Sequence, residues 1–141
     1  MDVKVYSLAT GGDKYQTPHF QVKEFRCRDG SDVVLIHEQL PWDLESIRYQ
    51  ASQEHGKGKE IPLIINSGYR TVAYNSTLKN ASKHSQHLYV YGYAADIHMP
   101  GVSIKDLTRY ARNVSPNHGG VGVYGSFLHF DKRETKADWT G

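Results

Sequence analysis

Three short segments gather side chains that bind metals or move protons: Ser85-Gln86-His87, Ala94-Ala95-Asp96-Ile97-His98, and Phe127-Leu128-His129-Phe130-Asp131. If the last two are strands, alternation puts Asp96 with His98, and His129 with Asp131, on a common face. Each strand then aims two polar groups at one spot. Two imidazoles and one carboxylate around an open fourth position form a donor set suited to a catalytic Zn²⁺, which polarises a carbonyl and makes water reactive near neutral pH. Residue types alone do not select the ligands. The chain has eight histidines and no HExxH helix, so any one of them reads first as a surface or hydrogen-bonded core side chain. The single cysteine, Cys27, excludes an internal disulfide framework and reads as a half-buried side chain between two arginines.

The elements that must position these groups follow from hydrophobic spacing. From Pro41 to Glu54, Leu40, Leu44, Ile47 and Ala51 recur at three and four, which predicts a helix with Pro41 in its first turn. Ser103 is placed to cap a second helix through Val114, with Ile104, Leu107, Tyr110 and Ala111 on one face. A short third helix is expected over Thr71 to Asn80. His19 to Phe25, Val33 to His37, Ala94 to Met99, Val121 to Tyr124 and Phe127 to Lys132 read as strands or extended pieces, the last two joined as a hairpin around Gly125-Ser126. The apolar run Ile61 to Ile65 reads as a buried central strand, and residues 81–93 as a loop. Mixed helices and strands with a late hairpin predict an α+β fold, a small mainly antiparallel sheet flanked by helices. Residues 1–17, polar and Gly-containing, are expected as a flexible arm, and 18–141 as one domain.

With 141 residues and a net charge of +2, the chain can fill one core but shows no basic block or stripe, so nucleic acid is not an expected partner. No apolar run is long enough for a membrane span, and the N-terminus lacks the apolar core of a signal peptide, which predicts a chain made in soluble form. Oligomeric state and biological setting, a phage-type lysis enzyme or a bacterial protein exported by another route, are both open.

Several motifs follow one another in a familiar order: His19-Phe20-Gln21-Val22-Lys23-Glu24-Phe25, Ile65-Asn66-Ser67-Gly68-Tyr69-Arg70-Thr71 with Tyr74-Asn75, Ser85-Gln86-His87-Leu88, Gly92-Tyr93-Ala94-Ala95-Asp96-Ile97, Gly119-Gly120-Val121-Gly122-Val123-Tyr124, and Phe127-Leu128-His129-Phe130-Asp131. From Pro18 to Trp139 this order resembles the M15 zinc peptidases, in particular the D-Ala-D-Ala carboxypeptidase branch, whose fold is shared with the hedgehog signalling domain. The resemblance implies one Zn²⁺ held by His87, Asp96 and His129, with Arg70 contacting the substrate. A guanidinium there would grip a terminal carboxylate or polarise the peptide carbonyl.

The sequence departs from that pattern in two places. His87 and Asp96 are two residues further apart than in the family's His-x-x-Gly-x-Ala-x-Asp, the extra pair falling within Leu88-Tyr89-Val90-Tyr91. An insertion of two preserves strand alternation and can bulge outward; His84 is the substitute ligand if it does not. The positions where relatives carry a proton acceptor are Ser126 and Phe127 here, leaving Asp131 either as general base or as a carboxylate orienting an imidazole N–H. The resemblance therefore implies hydrolysis of D-amino-acid-containing bonds in peptidoglycan stem peptides, by a carboxypeptidase or an endopeptidase. The other outcome is a weak or inactive metal-binding module of the same fold that recognises peptidoglycan or a protein.

Overall fold

A computed structural model describes residues 3–78, 87 and 93–141. The predicted insertion at Leu88-Tyr89-Val90-Tyr91 and the substitute ligand His84 lie outside the described residues.

The fold is α+β. Among the described residues its main sheet has five strands in the order β5 (Ile64–Ser67), β6 (Ala94–His98), β8 (Leu128–Asp131), β7 (Gly120–Val123) and β9 (Ala137–Thr140). All neighbours are antiparallel except β7 and β9. Helices α2 (Leu40–His55) and α4 (Ile104–Val114) pack on each other, and α4 packs against β7 and β8. The α2 core stripe is the one its spacing requires, with Leu40, Leu44, Ile47 and Ala51 buried and Pro41 in the first turn. Ser103 caps α4 as expected, its hydroxyl accepting from the Asp106 N–H at 3.1 Å. The short α3 (Val72–Thr77) is capped likewise, Thr71 accepting from Tyr74 N–H at 3.1 Å. One continuous apolar core runs from Phe20 and Val22 through α2 to Ile97, Leu107, Leu128 and Phe130. Among the described residues, no helix is long and apolar enough to cross a membrane.

Three expectations are corrected. Residues 3–17 are not a loose arm: β1 (Val3–Ser7) pairs antiparallel with β4 (Val33–His37), a single helical turn, α1 (Leu8–Gly11), follows, and β2 (Tyr15–Thr17) pairs with β3 (Phe20–Gln21). The cause is backbone pairing: among the described residues β4 has no other partner strand, and Asp32 fastens the turn by accepting from Ser7 Oγ at 2.6 Å and Ala9 N–H at 2.8 Å. The segment after Phe20 is extended only to Gln21. It then closes a 3₁₀ turn over Val22–Phe25, where Glu24 accepts from Gln21 N–H at 2.7 Å. The strand expected at Ile61 to Ile65 starts later, at Ile64, and forms the sheet edge, with Ile64 40% exposed. Pro62 has no N–H for a ladder, so pairing starts beyond it.

Candidate metal centre

Register builds the centre. In the β6/β8 pairing Asp96 lies opposite His129 and Ala94 opposite Asp131, so both acids and the imidazole face the same side, away from Ala95, Ile97, Leu128 and Phe130 in the core. His87 joins them from outside the sheet. Its backbone carbonyl accepts from Arg70 N–H at 2.6 Å, and its ring Nδ1 is bonded to the Gly68 carbonyl. Three donor atoms then converge: His87 Nε2 is 3.2 Å from Asp96 Oδ1 and 3.3 Å from His129 Nδ1, which is 2.9 Å from Asp96 Oδ1. All three residues are buried.

The outer partners show what belongs between those atoms. A carbonyl oxygen only accepts, so His87 carries its proton on Nδ1 and turns a lone pair inward from Nε2. His129 Nε2 donates to Asp131 Oδ2 at 2.7 Å, leaving the Nδ1 lone pair of the neutral ring facing inward too. With the Asp96 carboxylate, three lone pairs meet in a buried space, an arrangement that a cation relieves. Atoms bound tetrahedrally at about 2.0–2.1 Å to one ion lie about 3.3 Å apart, and the observed triangle is of that size. The residues fit a small divalent cation.

Without a cation, the two carboxylates favour a proton on His129 in its place. Burial pulls the Asp96 pKa up, yet the imidazoles of His129 and His87 beside it prevail and hold it below the usual carboxylate range. Burial pushes His87 down and keeps it neutral, with Asp96 opposing too weakly to reverse this. For His129 burial also acts downward, but Asp131 and Asp96 outweigh it and raise its pKa.

Asp131 faces the far nitrogen of the His129 ring, so its carboxylate is turned away from the convergence point. It is fully buried and saturated. Oδ1 accepts from Gly120 N–H at 2.9 Å and from Arg133 N–H at 3.0 Å; Arg133 also grips both oxygens, Nε to Oδ1 at 2.9 Å and Nη2 to Oδ2 at 2.7 Å. Burial raises its pKa and these bonds, His129 first, bring it below the normal range. A carbon on Gly120 would sit 2.3 Å from the Asp131 carboxylate, so this glycine makes room for the acid.

Arg70 borders the triad, its Nη2 3.6 Å from Asp96 Oδ2, with Nε near Ser67 Oγ and Nη1 near Asn75 Oδ1, each at 3.3 Å. His98, on the same face of β6, turns instead to Asn66 on β5, its Nδ1 2.5 Å from Asn66 Oδ1. Cys27 is buried in the core. Two residues at the centre were not anticipated: Arg133 and Gly120. The nearest signal for the first was its place two residues beyond Asp131. Trp139 lies with its ring 5.1 Å from that of His129 and with the Arg133 guanidinium over its face at 5.1 Å. A second set of metal-binding residue types, Glu54, His55 and Asp106, is more exposed and already holds Arg109, which reaches Glu54 at 2.6 Å and Asp106 at 3.2 Å.

Compared with known proteins, residues 18–131 match the family model described as Peptidase M15. No curated protein matches the chain.

Proposed function

The chain belongs to the M15 peptidase family, and from that premise we propose that it is a zinc peptidase hydrolysing D-amino-acid-containing bonds of bacterial peptidoglycan stem peptides, as a D-Ala-D-Ala carboxypeptidase or an endopeptidase. The observation that carries the reading is the buried His87, Asp96 and His129 triangle, three inward lone pairs beside the Arg70 guanidinium, in a chain of a metallopeptidase family. Zn²⁺ suits two imidazoles and one carboxylate with a position left open, and when bound it supplies Lewis acidity and a reactive water near neutral pH.

The chain's own residues divide the remaining work. Arg70, half-buried and with N–H groups beyond those used by Ser67 and Asn75, holds the substrate carboxylate or the scissile carbonyl. Asp131 is assigned the orienting role: it fixes the His129 tautomer through Nε2, and Arg133 keeps it ionised. A catalytically weak or inactive module that binds peptidoglycan or a protein is the second reading. It draws support from one observation: among the described residues, Asp96 contributes the one carboxylate at the convergence point, so a separate general base is not in place.

One assay separates the two. D-Alanine release from a D-Ala-D-Ala-ended stem peptide, and opening of a cross-linked muropeptide, are followed with purified protein, after chelation, and after Zn²⁺ is restored. Hydrolysis lost on chelation and recovered with Zn²⁺ is expected. Absence of cleavage at every metal loading, with retained binding to cell-wall sacculi, would leave the module reading standing and remove the enzyme.

A further inference from the structure

On the Trp139 side of the site lies a phenol, Tyr124. Tyr124 follows β7 at the head of the β7–β8 hairpin, its N–H bonded to the Phe127 carbonyl at 3.1 Å. Its ring is stacked on that of Phe127, centroids 4.5 Å apart and planes 8° from parallel. Its oxygen accepts from Trp139 Nε1 at 2.9 Å.

Trp139 places that oxygen relative to the metal centre. Gly122 lies opposite His129 in the β7/β8 register and level with Trp139 in the β7/β9 register. The indole covers Gly122 so closely that an added carbon there would meet its Cε2, Nε1 and Cζ2 atoms at 2.5–2.7 Å. The same ring lies 5.1 Å from the His129 imidazole. The indole N–H therefore sits on the metal-binding face of the sheet, beside His129, and hands the phenol oxygen to that face. Tyr124 is also among the groups whose charge bears on the Arg70 guanidinium. A charged donor, Arg70, borders the triad, and a neutral one, the Tyr124 phenol, lies on the same face of the sheet beside Trp139. One lone pair of the phenol is taken by Trp139, and its O–H proton has no acceptor among the described residues.

We propose that Tyr124 is a catalytic residue whose O–H donates a hydrogen bond to the carbonyl oxygen of the scissile amide as negative charge develops there. The inference rests on the peptidase reading of the same site. The proton stays on the phenol throughout, so the contribution is electrostatic and needs no further reactant. A fixed neutral dipole in a water-poor site gains strength as the charge on the oxygen grows, which favours the transition state over the bound substrate. Stacking on Phe127 and the bond from Trp139 fix the ring beforehand, so little reorganisation accompanies the reaction.

Tyr124→Phe in the metal-loaded protein tests this, because it removes one oxygen and keeps the ring. The expected result is a kcat about 10²-fold lower, the usual loss for one such donor, with KM and bound metal unchanged. Binding of a phosphinate peptide, which carries the tetrahedral charge of the transition state, should weaken in the variant, while binding of the product peptide should not. Wild-type kcat in a correctly loaded variant, or equal phosphinate affinity in the two proteins, would overturn the role of Tyr124 and leave the peptidase reading intact. A wild-type protein that cleaves no D-centred bond would instead overturn that reading, and this role with it.

Discussion

Strands β6 and β8 present two unlike faces. On one, Ala95, Ile97, Leu128 and Phe130 are sealed against the core; on the other, Asp96, His129 and Asp131 are enclosed almost as completely. Depth does not distinguish them. The apolar face is held by transfer from water and close packing, which tolerate many shapes that fill the same space. The polar face is held by partners of matching charge and lone-pair direction, and a buried group that loses such a partner suffers its full desolvation cost. One face should therefore answer substitution with a change in stability, and the other with a change in what it binds.

The largest effect expected on the polar face comes from Asp96→Ala. It removes the carboxylate proposed as a ligand, so metal binding and hydrolysis should both fall below detection, beyond the loss of about 10–100-fold typical of an outer partner. Metal content per chain after dialysis, measured beside activity, checks this; a full complement of metal in the variant would sink the ligand assignment. Its counterpart on the apolar face is Phe130→Ala. Denaturant unfolding should show a loss of about 3–5 kcal/mol, while the molecules still folded keep their metal affinity. A drop in affinity as large as that of Asp96→Ala would mean that the two faces are not separable.

Asp131→Asn is the intermediate case. The amide keeps the shape but removes the charge that Arg133 and His129 share, so metal affinity should weaken about 10–100-fold. Competition with a chromophoric chelator measures it. Unchanged affinity, with hydrolysis abolished, would return Asp131 to the role of general base.

The contrast between faces also explains what could be read from the chain. Periodicity in three and four located α2 and α4, because Leu40, Leu44, Ile47 and Ala51, and Leu107, Tyr110 and Ala111, each answer to a single buried stripe. Alternation placed His129 with Asp131 and correctly opposed both to Phe130. It could not show that the polar face is buried, since a polar residue at every second position reads the same when it faces solvent. β1, β2 and β9 escaped because they are short and held mainly by backbone pairing, to which side-chain patterns are blind. His87 lies in a stretch with no period, and although its residue type drew notice, the family resemblance alone marked it as a ligand. Arg133 reaches Asp131 locally, two residues along the chain, but Gly120 and the proposed role of Tyr124 depend on cross-strand register, in which Gly120 meets Asp131 and Gly122 meets both His129 and Trp139. That information exists only once the sheet is assembled.

The smallest effect concerns a buried histidine outside the metal centre. His37, on β4, accepts from Gln39 N–H at Nδ1, 3.1 Å away, and meets the Tyr93 ring edge-on at 4.7 Å. Burial lowers its pKa, the nearby Lys132 ammonium lowers it further, and Glu38 and Asp43 oppose this without prevailing. Protonating Nδ1 would also remove the acceptor that Gln39 uses. The unfolded chain takes up this proton near the ordinary histidine value, whereas the folded chain takes it up only at lower pH. Between those two values the unfolded state binds more protons, so stability declines as pH falls through the window and levels off below the folded pKa. For one proton the slope cannot exceed about 1.4 kcal/mol per pH unit. In His37→Phe, which keeps an aromatic ring against Tyr93, this decline should be absent. Unfolding of wild type and variant, both metal-loaded, is compared at pH values on either side of the window. Both carry the same metal centre, so its titration cancels in the difference, and a difference constant with pH would show that His37 titrates alike in the folded and unfolded chains.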